Sequence, residues 1–330
     1  MHRKRKLRYG RICILTLITA LLITGAYKTV SHLLPLIMDR PSENISTQLL
    51  GSNSQTTSTN DTQEPICLNS SSGELYSPYA LLVRLKDQKV AFETRSEERI
   101  YPASLTKMMT AIVAIENISD LQETIILPEK IFPDLYAANA SMAGFLPREE
   151  VPAIDLLYGT LLPSGADASV GLALQVSDSE SEFVKLMNKK AKQLGMNDTH
   201  FTNVCGLHDN NHYTTAKDIV TLLEYALKNE TFRKVFTSVR HSTASTNLHS
   251  DGITFYSTMY EKMDTCEFDG GRILGGKTGY TGESGLCLAS LAEKNGSEYI
   301  LVTAGASGDH QTDQYHIMDA FMVYGKYLKH

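Results

Sequence analysis

Apolar positions fall in blocks along this chain, and their spacing changes from block to block. Ala80 to Leu85 is an apolar run, Asp87-Gln88 marks a turn, and Lys89 to Glu93 returns, so this stretch reads as a β-hairpin. From Ser104 to Asn117 the period lengthens, with Met108, Ile112 and Ile115 on one helical face. Residues 151–176 read as helix, turn, helix, with Leu161-Leu162-Pro163 leading to Ser164 between them. Glu182–Leu194 and Ala216–Leu227 are further amphipathic helices. Gly285–Leu291 and Tyr299–Ala304 are apolar strands around Lys294-Asn295-Gly296, and a helix over about Thr312–Tyr327 follows. Strands at both ends with helices between predict one sheet, built from both ends of a body that starts near Leu75. No internal repeat interrupts this order.

The residues before that body behave differently. Residues 1–11 hold Arg3, Lys4, Arg5, Lys6, Arg8 and Arg11 and no acid. The weakly polar to apolar run Ile12–Ala26 comes next, then Lys28, then the apolar Leu33–Met38. This pattern is an export segment, and residues 12–38 are expected to be an uncleaved signal anchor with the body outside the cell membrane. Secretion after signal cleavage is the alternative. Residues 39–74, rich in Ser, Thr, Asn and Gln, are expected to be a flexible tether, leaving 75–330 as the catalytic body.

Composition narrows the function classes. Six of the 31 basic residues lie in residues 1–11, so the rest of the chain carries 25 against 37 acidic residues. An acidic body gives no electrostatic reason to bind nucleic acid. The five cysteines, Cys13, Cys67, Cys205, Cys266 and Cys287, lack metal or disulfide-scaffold spacing. Free buried thiols are expected, with one Cys205–Cys266 bridge left open.

Three short motifs carry the chemistry: Ser104-Leu105-Thr106-Lys107, Ser164-Gly165-Ala166 and Lys277-Thr278-Gly279. The first places a hydroxyl and an amine three residues apart, on one face of a helix start. A serine needs an adjacent base to attack a carbonyl, and a lysine sheltered beside Met108 and Met109 has its pKa lowered towards that task. Taken alone, a Ser–Lys pair at this spacing is better explained by a helix cap and a solvated lysine. All three motifs in this order follow the Ser-x-x-Lys, Ser-x-Asn and Lys-Thr-Gly set of β-lactam-recognising serine enzymes, with Ala166 in the place of the Asn.

With that context, Tyr101-Pro-Ala-Ser-Leu-Thr-Lys-Met-Met-Thr110 resembles the nucleophile segment of the D-alanyl-D-alanine carboxypeptidases, the low-molecular-mass penicillin-binding proteins of peptidase family S11. Further matching segments are Phe183–Asn188, Ala191–Met196, Thr199–Asn203, His212–Ala216 and Gly275–Gly279. The resemblance spans about residues 78 to 306. It implies an α+β fold of the β-lactamase/D,D-peptidase-like type, an antiparallel sheet flanked by helices with a helical subdomain across a cleft. It further implies Ser104 as acylated nucleophile, Lys107 as its general base and Ser164 as a proton relay. Lys277 would supply positive charge and, with Thr278, hold the substrate's terminal carboxylate on the strand that Gly279 continues. The backbone N–H groups of Ser104 and Tyr280 would form the oxyanion hole.

Peptidoglycan stem peptides are then the expected substrate, β-lactams the covalent inhibitors, and no cofactor or metal is called for. His200, His208 and His212 lack H-E-x-x-H spacing, and His212 is expected to be structural. One departure is Ala166 where the family usually has Asn. Weaker β-lactam binding is expected from the lost amide, with Asp167 or a water compensating in part. The rivals are a β-lactamase-like hydrolase, for which no deacylating Glu-x-x-x-Asn is evident, and a β-lactam-binding sensor without turnover.

Overall fold

A computed structural model of the chain describes residues 75–328. The basic segment, the signal anchor, the tether, Cys13 and Cys67 lie outside the described residues. Among the described residues no helix is long and apolar enough to cross a membrane.

The hairpin forms as β1 (Tyr79–Arg84) and β2 (Lys89–Thr94). Four further strands join it: β7 (Glu267–Phe268), β8 (Gly271–Thr281), β9 (Gly285–Lys294) and β10 (Ser297–Ala306). The order is β2-β1-β10-β9-β8-β7, antiparallel throughout, so both ends of the body do build one sheet.

Alternation along the strands fills two cores. Leu81, Val83, Ala289, Leu291, Ile300 and Val302 face one of them, while Leu82, Leu288, Ala292 and Leu301 face the other. Burial on both faces explains why β9 reads as a nearly continuous apolar run. The second face is covered by the last helix, α8 (Tyr315–Tyr327), through Ile317, Ala320, Val323 and Tyr324. That helix starts three residues later than the sequence pattern places it. The Asp309 carboxylate accepts the N–H groups of Gln311 and Thr312, and this local turn competes with helix.

The first face carries the helical insert. Helix α1 (Thr106–Asn117) is buried from Thr106 to Ala114 among six further helices, of which all but the first pack against it. In chain order these are α2 (Phe132–Ala137), α3 (Ala153–Leu161), α4 (Ala166–Val176), α5 (Glu180–Leu194), α6 (Ala216–Ala226) and α7 (Glu230–Phe236). Ser179 and Thr215 cap α5 and α6 by accepting the N–H groups of Glu182 and Asp218. Two small antiparallel pairs complete the insert: β3 (Thr124–Ile126) with β4 (Glu150–Pro152), and β5 (Arg240–Ser242) with β6 (Thr254–Tyr256).

Candidate active site

Each motif sits where two elements meet. Ser104 lies in a 3-10 turn, Ala103–Leu105, that leads directly into α1 and packs against β8. Ser164 lies in the α3–α4 connection with a φ of 66°. A non-glycine residue in that region is strained, and strain of this kind collects where a side chain must be aimed. Lys277, Thr278 and Gly279 lie on β8 beyond its pairing with β7, which stops at Arg272. A Cβ on Gly279 would sit 3.1 Å from the Ser104 nitrogen, so glycine is what lets strand and nucleophile turn close up.

The seven predicted residues come together. Ser104, Ser164, Thr278, Gly279 and Tyr280 line one cleft, about 580 Å³ including its open mouth, with Lys107 and Lys277 buried behind the two serines. Lys107 Nζ donates to Ser104 Oγ at 3.1 Å and to the Cys205 carbonyl at 2.7 Å. Burial, opposed by Cys205 and Asp167, pulls the Lys107 pKa below its ordinary value. Lys277 Nζ donates to Ser164 Oγ at 2.9 Å and to the Thr278 carbonyl at 2.8 Å. Burial first, and repulsion from Lys107 second, push the Lys277 pKa far down. Thr278 Oγ1 is paired with Thr258 Oγ1 at 2.6 Å.

Position 166 behaves differently from the expectation. Asp167 does not take the place of the missing amide. Its carboxylate is spent on the backbone, accepting the N–H groups of Ala143, Gly144 and Phe145 at 2.7, 3.1 and 3.1 Å. The acceptor on Lys107 is instead the Cys205 carbonyl, held by a loop that Asn203 organises. Asn203 Oδ1 accepts the N–H groups of Cys205, Gly206 and Leu207. Gly206 has a φ of 80°, and a Cβ there would lie 1.8 Å from the Ala103 oxygen, so only glycine lets this loop seat against the nucleophile turn. Nothing in the motif pattern points to a backbone carbonyl 98 residues away as the partner of Lys107.

Other expectations resolve as follows. His212 is buried, with Nε2 2.8 Å from Thr106 Oγ1 and Nδ1 accepting from the Thr202 nitrogen, a structural tie between this loop and α1. Cys205, Cys266 and Cys287 are all free, so the Cys205–Cys266 bridge is not formed; Cys266 is half-buried where a buried thiol was expected. Among the described residues no group of three or more His, Cys, Asp or Glu is arranged to hold a metal. The cleft wall also contains Ser141, Thr258, His310, Gln314 and His316, none of which belongs to a motif.

The family profile of D-alanyl-D-alanine carboxypeptidase, peptidase family S11, matches residues 65–308. D-alanyl-D-alanine carboxypeptidase DacF of Bacillus subtilis is 38% identical over 232 residues, covering 69% of this chain and 57% of its own length. DacC of Escherichia coli is 30% identical over 248 residues, covering 69% and 56%. The chain therefore spans little more than half the length of these two relatives. Among solved structures, a mutant of the Streptomyces K15 DD-transpeptidase superposes with a TM-score of 0.69 at 25% identity, covering 76% of this chain and 98% of that one. A D-alanyl-D-alanine carboxypeptidase from Mycobacterium tuberculosis, at 23% identity, a TM-score of 0.66 and coverage of 76% and 90%, shares the fold. Motifs, fold and profile agree that the chain belongs to the D-alanyl-D-alanine carboxypeptidases of peptidase family S11.

Proposed function

We propose that this chain removes the terminal D-alanine from peptidoglycan stem peptides through an acyl-enzyme on Ser104. The observation that carries this reading is the contact between a buried amine, Lys107, and the Ser104 hydroxyl at 3.1 Å. A lysine with a lowered pKa accepts the serine proton, and the serine oxygen then attacks the carbonyl of the penultimate residue. Negative charge develops on that carbonyl oxygen, for which the N–H groups of Ser104 and Tyr280 are the donors. Ser164, held by Lys277, hands its proton to the departing D-alanine amine and takes up in exchange the proton that Lys107 received from Ser104, so both groups return to their starting states. Water then attacks the ester, returning Ser104 and releasing the shortened peptide. β-Lactams enter the same step and remain as a stable adduct.

Attachment to the cell membrane through residues 12–38, with the body outside, belongs to the same reading. The basic residues before the apolar run support it. Fractionation should find the full chain in the membrane, and a mature chain starting near Tyr27 would mean a cleaved signal instead.

The central test is mass spectrometry of a synthetic pentapeptide ending in D-Ala-D-Ala. Loss of one alanine by wild type, and no loss with Ser104→Ala, is the expected result. The same substitution should abolish labelling by a fluorescent penicillin while leaving the fold intact, since the Ser104 side chain caps no helix. Labelling of Ser104→Ala at the wild-type rate would remove Ser104 as nucleophile, and rapid turnover of penicillin by wild type would indicate a β-lactamase.

A further inference from the structure

His316, in the first turn of α8, lines the catalytic cleft and takes no part in the chemistry above. It is 1% exposed, and its Nδ1 is enclosed without a hydrogen-bond partner. A proton on that nitrogen would be an N–H buried with nothing to accept it, which costs more than a direct hydrogen bond returns. The ring is therefore neutral with its proton on Nε2, the nitrogen left to meet the cleft. Burial lowers the His316 pKa to about 4, in agreement with the neutral form.

Strand register decides what this donor faces. Thr278 pairs with Leu288, which packs against α8, whereas Lys277 pairs with Ala289 of the opposite core. The Thr278 hydroxyl and His316 thus share one face of the sheet, and Lys277 reaches Ser164 on the other. Both bonds made by Lys277 are committed within the protein, and the Gln314 amide donates to the carbonyls of Asp309 and Thr312. The His316 N–H is thus a donor with no bond inside the protein, in a cleft wall that it shares with Thr278 and the exposed Lys262.

We infer that His316 is a specificity-determining residue whose Nε2–H binds the terminal carboxylate of the substrate together with the Thr278 hydroxyl. The inference rests on the carboxypeptidase reading, since that substrate presents a carboxylate one residue beyond the bond attacked by Ser104. No covalent change at His316 is involved.

The test compares a peptide ending in D-Ala-D-Ala with the same peptide ending in D-Ala-D-alaninamide. For His316→Leu, kcat/KM on the free acid should fall on the order of tenfold or more, as for a lost hydrogen bond to a charged group. Turnover of the amide should stay within about twofold of wild type, because no carboxylate is there to lose. His316→Gln, which keeps an N–H donor, should recover much of the loss and guards against a folding defect in the leucine variant. Equal losses on acid and amide, or no loss on either, would overturn this inference alone. A wild-type protein that is labelled by penicillin yet cleaves neither peptide would overturn the carboxypeptidase reading and the inference with it.

Discussion

Two buried lysines face the cleft from opposite sides, Lys107 from helix α1 and Lys277 from strand β8. Each Nζ donates to one serine hydroxyl and one backbone carbonyl. They differ in where the carbonyl comes from. Lys277 uses the next residue of its own strand, so its setting follows from the strand alone. Lys107 depends on Cys205, which is correctly placed only when the loop organised by Asn203 has docked. Their electrostatics differ too. Asp167 draws Lys107 towards its charged form, while Lys107 itself pushes Lys277 towards the neutral one. Two ammonium groups in one water-poor pocket repel strongly, so the second proton is the harder one to hold. The helix side is therefore built for a lysine that changes charge, and the strand side for a lysine that serves as a fixed hydrogen-bond donor.

The largest effect should come from exploiting that difference. Lys107→Arg keeps the positive charge but cannot release its proton, so acylation by penicillin should fall by about 10²–10⁴-fold, as far as with Lys107→Ala. Wild-type acylation should rise with pH as Lys107 loses its proton, with the ascending limb below the ordinary lysine value of 10.5. Lys277→Met should leave that limb nearly in place, because burial and Lys107 push Lys277 towards its neutral form, and should act mainly on KM. Stopped-flow acylation across pH measures both. Substantial activity in Lys107→Arg would assign the base elsewhere, and a shifted limb in Lys277→Met would mean that Lys277 is charged.

A second effect sets His212, on the Lys107 side, against His316, on the Thr278 side. Burial lowers both pKa values to about 4, from an ordinary value near 6.5. As pH falls from 6.5 to 4 the unfolded chain takes up these protons before the folded one does. Stability is therefore full above about 6.5 and is lost through this window, on the order of 3 kcal/mol per histidine. Melting temperature followed over that range should drop in wild type and drop less steeply in His212→Gln and in His316→Gln. If only the His212 variant flattens the curve, the strand side of the cleft is wetter than its burial implies.

These two sides were not equally legible in the sequence. Helix α1 announces itself through Met108, Ile112 and Ile115, and the β1–β2 and β9–β10 pairs through their apolar runs around Asp87-Gln88 and Asn295-Gly296. Strand β8 gives no such pattern, because Gly271, Gly275, Gly276 and Gly279 dilute it, and only the Lys-Thr-Gly motif placed it on a strand. The motifs identified the side chains but not what orients them. The Cys205 carbonyl has no residue-type signature, and Asp167 reads as available until the Ala143–Phe145 backbone is seen to use it. His316 lacks a motif altogether, and only folding brings the start of α8 into the cleft that Thr278 lines.

The smallest effect concerns Ala166, and here the structure reverses the simple expectation. Restoring the amide that relatives carry would add one hydrogen bond, worth roughly 0.5–1.5 kcal/mol, if Lys107 lacked an acceptor. It does not lack one, since the Cys205 carbonyl lies 2.7 Å away. Ala166 is wholly buried at the start of α4, with the Cys205 thiol against its own carbonyl at 3.9 Å. Asparagine would add three heavy atoms to that enclosed space, and overpacking of this kind costs about 1–3 kcal/mol. Displacement would fall on the Cys205 loop, the element that holds Lys107. Ala166→Asn should therefore slow acylation by penicillin up to about tenfold and lower the melting temperature by a few degrees. A faster rate with an unchanged melting temperature would show that the amide finds room and holds Lys107 better than the Cys205 carbonyl does, and the dependence of the helix side on its loop would then be weaker than the geometry indicates.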